Sequence, residues 1–121
     1  MAALKPADAL SRARDILNDA GVVRWPNSTL LRFLNDFLNS LWALRADAQF
    51  DDSTGAHKTF GLATISGETV PTDDLWADGR WAEHGGLFIA ASALEMDGAE
   101  QADAARAVRL WRRYTELMEK R

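Results

Sequence analysis

The side chains that could do chemistry are few and scattered. The two histidines, His57 and His84, fall in different segments, and neither has the H-x-x-x-H or histidine–carboxylate spacing that a zinc site needs. His84 is expected to pack within a helix. Aspartates occur in two adjacent pairs, Asp51-Asp52 and Asp73-Asp74. Neighbouring carboxylates point apart in most backbones, so neither pair reads as a general acid and its base. Asp47, Asp51 and Asp52 lack the glycine and the terminal glutamate of an EF-hand loop. No serine stands in G-x-S-x-G or S-x-x-K, and there is no phosphate loop and no G-x-G-x-x-G. The absence of cysteine removes disulfides, thiolate catalysis and cysteine-based zinc. The expectation is therefore a protein that is not an enzyme, with no catalytic, cofactor-binding or metal-ligating residues.

If chemistry is not the task, the elements must be read for what they can touch. A chain of 121 residues, 47% apolar, fits one domain spanning 1–121 with a core of its own. Its formal net charge of −4 is a poor basis for sequence-independent DNA binding, which wants a basic face. The same charge suits a surface along which DNA slides without sticking. No apolar run approaches the roughly 18 residues of a membrane span. Residues 1–10 hold one lysine and no long apolar stretch, so no secretory signal is expected and the chain reads as cytosolic where it is made.

Hydrophobic periodicity predicts four helices. The first covers about 7–20, with Pro6 at its start, Asp8 in its first turn and Gly21 as its stop. A short link carrying Trp25 and Pro26 leads to the second, about 28–46, with Asn27 or Ser28 as its cap. The short link makes these two helices antiparallel neighbours, with Trp25 capping the pair. Leu30, Leu34, Phe37, Leu41 and Leu44 form one stripe of the second helix, widened by Leu31, Leu38 and Trp42 and by Phe33. That arc covers about half the circumference, more than one neighbour can bury. Residues 47–58 read as a loop. Residues 59–70 alternate at Phe60, Leu62 and Thr64 and turn at Ser66-Gly67-Glu68, which predicts a β-hairpin ended by Pro71. The third helix, from about 78–81 to 97 with Gly98 as its stop, is apolar all round and should be central. Its Gly85 and Gly86 permit close approach. The fourth runs over about 99–120, its inner face formed by Ala104, Ala107, Val108, Leu110, Trp111, Tyr114, Leu117 and Met118. The fold class is thus mainly α: a four-helix antiparallel bundle with one β-hairpin between the second and third helices.

Two features suggest a partner. Arg106, Arg109, Arg113 and Lys120 align on the outer face of the fourth helix at spacings of three, four and seven. The row is a solvated face, with Arg109 or Arg112 paired to Glu116, or a docking strip for an acidic surface; DNA contact comes third, since four cations against a net charge of −4 give little counterion release. The chain also holds five tryptophans, a heavy load for a core this small, so at least one is expected to be buried only on assembly. Trp76, after the hairpin, is the candidate. Asp51 and Asp52, in the long loop, complete the set of candidate partner-binding residues.

Trp25, Leu30-Leu31, Leu34-Asn35-Asp36 and Leu44-Arg45-Ala46-Asp47-Ala48 resemble the W-x-x-x-x-L-L-x-x-L-N-D and L-R-P-D-A motifs of tailed-phage head-to-tail adaptor proteins. Ala46 replaces the family's proline, and Pro26 stands where a small polar cap is more usual. Residues 66–73 are similar to the family's G-T-x-x-L-P-x-D hairpin end, and 90–114 to its closing helix pair. The likeness covers most of the chain. It implies a ring, usually of twelve subunits, in the neck of the virion, assembled in the host cytoplasm. Its partners would be the portal protein, a tail or stopper protein, and further copies of itself, with DNA touched only in passage. The alternative is a small cytosolic helical module that dimerises and regulates a partner.

Overall fold

In a computed structural model, residues 2–19, 21, 24–51, 53–96 and 101–120 are described. Among them are four α-helices: α1 (Pro6–Leu17), α2 (Asn27–Leu44), α3 (Ala82–Met96) and α4 (Gln101–Glu119). Two single 3-10 turns, Ala46–Gln49 and Gly79–Trp81, follow α2 and precede α3.

Local chemistry explains both ends of α1. Pro6 occupies the first turn of α1, and the Asp8 carboxylate accepts the Lys5 backbone N–H at 3.1 Å. The helix stops at Asn18, which takes the left-handed conformation with φ of 56°, and not at Gly21. Asparagine tolerates that conformation at small cost, so the chain turns out three residues early. The expected final residue, Ala20, lies outside the described set, as do Asp97 and Gly98 at the expected end of α3 and Ala99 at the expected start of α4.

Neither Asn27 nor Ser28 caps α2. Pro26 holds the cap position and lacks a side-chain acceptor. The service comes from far along the chain: Glu68 accepts the Ser28 backbone N–H at 3.1 Å and its hydroxyl at 2.6 Å, and the Glu68 carbonyl accepts from the Asn27 amide. A carboxylate at a helix N-terminus satisfies an orphan donor and meets the positive end of the dipole.

The predicted β-hairpin does not form, and no strand occurs among the described residues. Its turn is present, with a single bridge between Ser66 and Thr69 and Gly67 at φ of 57°. The arms are drawn elsewhere. Asn35 of α2 donates to the Ala63 carbonyl at 3.0 Å and accepts its N–H at 2.8 Å, which ties the first arm to a helix. Beyond the second arm, the chain pairs with the N-terminus: Leu75 N–H donates to the Leu4 carbonyl, and Leu4 N–H to that of Ala77. A lone hairpin is marginal in water, and these side-chain and terminal partners take its place. Residues 59–74 therefore cross the surface as an irregular strap.

α3 is the hub, packed against α1, α2 and α4, as its all-round apolar character predicts. The ends of α2 and α4 lie together, while the start of α3 lies beside the later part of α4. The core joins Leu30, Leu31, Leu34, Phe37, Leu38 and Leu41 of α2 to Leu87, Ile89 and Leu94 of α3. Not all of the expected stripes are covered. Leu44 is 68% exposed and Val108 58%, and Ala104 is exposed as well. α4 packs chiefly on α3, so only a narrow line through Ala107 and Tyr114 is fully buried.

The paired glycines set the spacing at the helix crossing. A Cβ at Gly86 would lie 2.5 Å from Arg12 Cγ and 2.8 Å from Arg12 Cβ. One at Gly85 would lie 3.1 Å from the Phe37 ring and 3.4 Å from Ala9 Cβ. Gly86→Ala is expected to force α1 and α3 apart and to cost roughly 1–3 kcal/mol despite its better helix propensity. A thermal melt at or above that of the parent would show that the crossing is looser than described.

Candidate partner-binding surface

Arg109, Arg112 and Arg113 lie exposed on the outer face of α4. Arg113 reaches to 3.8 Å from Glu83 at the start of α3. Neither Arg109 nor Arg112 has an ion-pair partner among the described residues, so the expected pairing with Glu116 is not made. Arg106 leaves the row: its guanidinium donates to the Ile16 carbonyl at 2.6 Å, one of the orphan carbonyls at the end of α1. Half-buried and engaged, it links α4 to α1. Lys120, at the far end, is exposed and lines a hollow between the ends of α2 and α4.

Glu83 organises this face from beneath. It forms a two-pronged pair with Arg12 of α1. That hydrogen bond holds the Glu83 carboxyl below the usual carboxylate range and raises Arg12. The stability it supplies is present above the ordinary glutamate value and is lost as pH falls through the lowered one.

The tryptophans are unequally buried, with Trp25 inside as a cap of the helix pair would be. Trp25 and Trp81 are each 2% exposed, and Trp42, Trp76 and Trp111 are partly buried, so none waits wholly in solvent for a partner. The strap makes room for Trp76. Its ring meets the edge of Trp42 at 5.1 Å between centroids, and Phe60 lies 6.0 Å away. His57 and Phe50 extend the cluster toward solvent. Aromatic edges and faces attract in such tilted pairs, which explains why an irregular segment stays on the helix.

Asp51 is occupied with its own turn. Its carboxylate accepts the backbone N–H groups of Ser53 at 2.8 Å and Thr54 at 3.0 Å. The Thr54 bond, then that of Ser53, keeps its carboxyl below the usual range. Asp52 lies outside the described residues. The site candidates thus do not converge. Arg109 and Arg113 share a helix face, whereas Trp76 and Asp51 sit with the strap and the loop after α2.

Sequence reasoning read Arg45 as part of a helix stop and of the adaptor-like motif, but did not count it among the partner-binding residues. Arg45 pairs with Asp47 through two hydrogen bonds, at 2.8 and 2.7 Å, and donates to the carbonyls of Met118 and Lys120 at 2.6 and 3.0 Å. The Asp47 bond raises Arg45, and Asp47 is lowered in turn. One side chain therefore ties the end of α2 to the end of α4. The Arg-x-Asp spacing was the available signal, although the reach to α4 lies outside any local pattern.

Among the described residues no group of three or more His, Asp or Glu could hold a metal ion, and no helix is long and apolar enough to cross a membrane. No family model, curated protein or solved structure matches the chain.

Proposed function

We propose that this chain is a non-enzymatic structural subunit of a virion: a ring-forming head-to-tail adaptor that joins the portal to the tail and lets DNA pass. The observation that carries this reading is the uncovered strap. Leu62 is 50% exposed and Ile65 38%. Around them, the backbone of residues 59–62, 64 and 65 makes no hydrogen bond among the described residues. Apolar side chains beside open peptide groups suit a surface that a neighbouring copy covers. The exposed arginines of α4 supply a second, charged face for a portal or tail protein. With a net charge of −4, the subunit offers DNA little counterion release, which suits passage rather than binding. The likeness of Trp25, Leu34-Asn35-Asp36 and Leu44-Arg45 to adaptor motifs supplies the ring of about twelve and the portal as partner, and rests on sequence alone.

The test is mass. Mixed with a portal protein, the chain is expected to form a ring complex by native mass spectrometry. Leu62→Asp with Ile65→Asp should abolish the ring and leave the melting curve unchanged, since both side chains lie outside the core. Arg109→Glu with Arg113→Glu should weaken a portal or tail pull-down, more so at low salt. A species that stays dimeric whatever the partner would instead favour a small regulatory module. Unchanged pull-down by the double charge reversal would make the α4 row a solvated face.

A further inference from the structure

α3 carries one histidine, in its first turn, where the ends of two other helices meet it. His84 lines a cavity of about 210 Å³ with Arg45 from the end of α2, Arg80 and Trp81 from the turn before α3, and Leu117 and Lys120 from the end of α4. The imidazole packs against the Trp81 ring, with 4.7 Å between centroids. The Arg45 guanidinium carbon lies 4.9 Å from the centre of the same indole. Arg45 in turn donates to the Met118 and Lys120 carbonyls at 2.6 and 3.0 Å. His84, Trp81, Arg45 and the last turn of α4 therefore form one connected stack.

The ring is placed to stay neutral. A charged imidazole donates from both nitrogens, and His84 Nδ1 is buried with no hydrogen-bond partner among the described residues. The charges that share its cavity, on Arg45, Arg80 and Lys120, have the wrong sign for a further cation. Glu83 precedes it on α3 but is held by Arg12. Asp47 bonds Arg45, comes to 3.8 Å from Arg80, and lines the adjoining hollow with Glu119. Burial above all holds the imidazole below its ordinary value, and Arg45 and Arg80 add to it; the Leu117 carbonyl and Glu83 act the other way. Because the folded value is lowered, the stability at stake is fully present above the ordinary histidine value of about 6.5. It is lost as pH falls through the lowered value.

We propose that His84 is an acid-sensitive latch: one proton on its ring frees the last turn of α4 from the end of α2 and the start of α3, while the rest of the bundle stays folded. α4 is the element that yields. It ends here, and Leu117 and Met118 are only half-buried, so lifting one turn brings water to the ring at the smallest loss of packing. The other walls are fixed more firmly, with Trp81 2% exposed and Leu41 of α2 fully buried. The latch stands independently of whether the chain forms rings.

The test is a pH titration of the full chain followed by nuclear magnetic resonance, from neutral pH down to about 5, above the range in which carboxylates titrate. The His84 ring protons should report a midpoint below that of an ordinary histidine. Amide hydrogen exchange, read as protection factors, should show residues 117–120 losing protection below that midpoint. The loss should reach at most about tenfold per pH unit, the ceiling for one titrating group. Protection in α1 and in the middle of α3 should hold. His84→Gln, which cannot take up the proton, should lose the acid step, with a melting curve at neutral pH verifying that it folds. Should that variant fold poorly, the midpoint and the place of the loss in the parent chain decide alone. A His84 midpoint at or above the ordinary value would overturn the proposal. So would an acid step that survives in a folded His84→Gln, or protection lost evenly across all four helices.

Discussion

Replacing Asp19 by alanine is expected to destabilise the protein by about 3–5 kcal/mol, the cost of stranding a buried charge. The Arg14 and Asp19 side chains are 9% and 7% exposed and meet at 3.0 Å. Asp19 also accepts the backbone N–H groups of Trp25 and Arg24, each at 3.2 Å. The Arg14 guanidinium donates to the Trp25 carbonyl at 3.1 Å and to the Asn27 side chain. Every group in this knot has a partner, and together they fix the link between α1 and α2 with Trp25 folded inward. Without the carboxylate, Arg14 keeps its charge in a place where water cannot easily replace the lost partner, and two backbone donors lose their acceptor. Asp15→Ala is the control. That side chain lies one turn earlier on the exposed face of α1, and its removal should change stability by no more than about 0.5 kcal/mol. A urea titration decides. Midpoints that move equally for the two variants would mean that the knot is solvated in solution.

Leu34→Ala carries the second large effect, about 2–5 kcal/mol, as a cavity in the centre of the core. Leu34 is fully buried on α2 among the side chains that meet α3. The loss combines the transfer energy of the missing carbons with the void that a close-packed neighbourhood fails to fill. Asp36, two positions on, is exposed, and Asp36→Ala should stay within about 0.5 kcal/mol. A denaturant titration that gives the two variants equal midpoints would place the buried face of α2 on the wrong side.

The contrast between Leu34 and Asp36 was legible in the sequence, because helical periodicity is a local property. A period near 3.6 assigns faces before any neighbour is known, and the four helices appear where their apolar positions repeat. The central place of α3 followed in the same way from its lack of a polar face, and its glycine pair from the close approach that only glycine permits. Ends were legible when their chemistry was local, as with Pro6 and Asp8. They were not when the partner came from elsewhere, as with Glu68 at the start of α2.

Of the candidate site, spacing alone placed Arg109 and Arg113 together on one exposed helix face. It could not separate Arg106 from them, since the row is a pattern on α4 and the Ile16 carbonyl that takes Arg106 belongs to α1. The strap shows the same division. Phe60, Leu62 and Thr64 alternate as a strand would, but alternation specifies which side chains share a face and not which backbone will pair with theirs. Asn35 took Ala63, the N-terminus took 75–79, and Trp42 took Trp76. The sequence by itself determined the helices, the apolar arcs along them and the absence of any recognisable catalytic spacing. Only the tertiary structure decided which part of each apolar arc stays uncovered and which charged groups are tied down. It alone drew Arg45, Arg80, Trp81 and Lys120 into one cavity. The reason is physical: periodicity acts within one element, whereas burial and hydrogen bonding are settled by whatever the returning chain brings alongside.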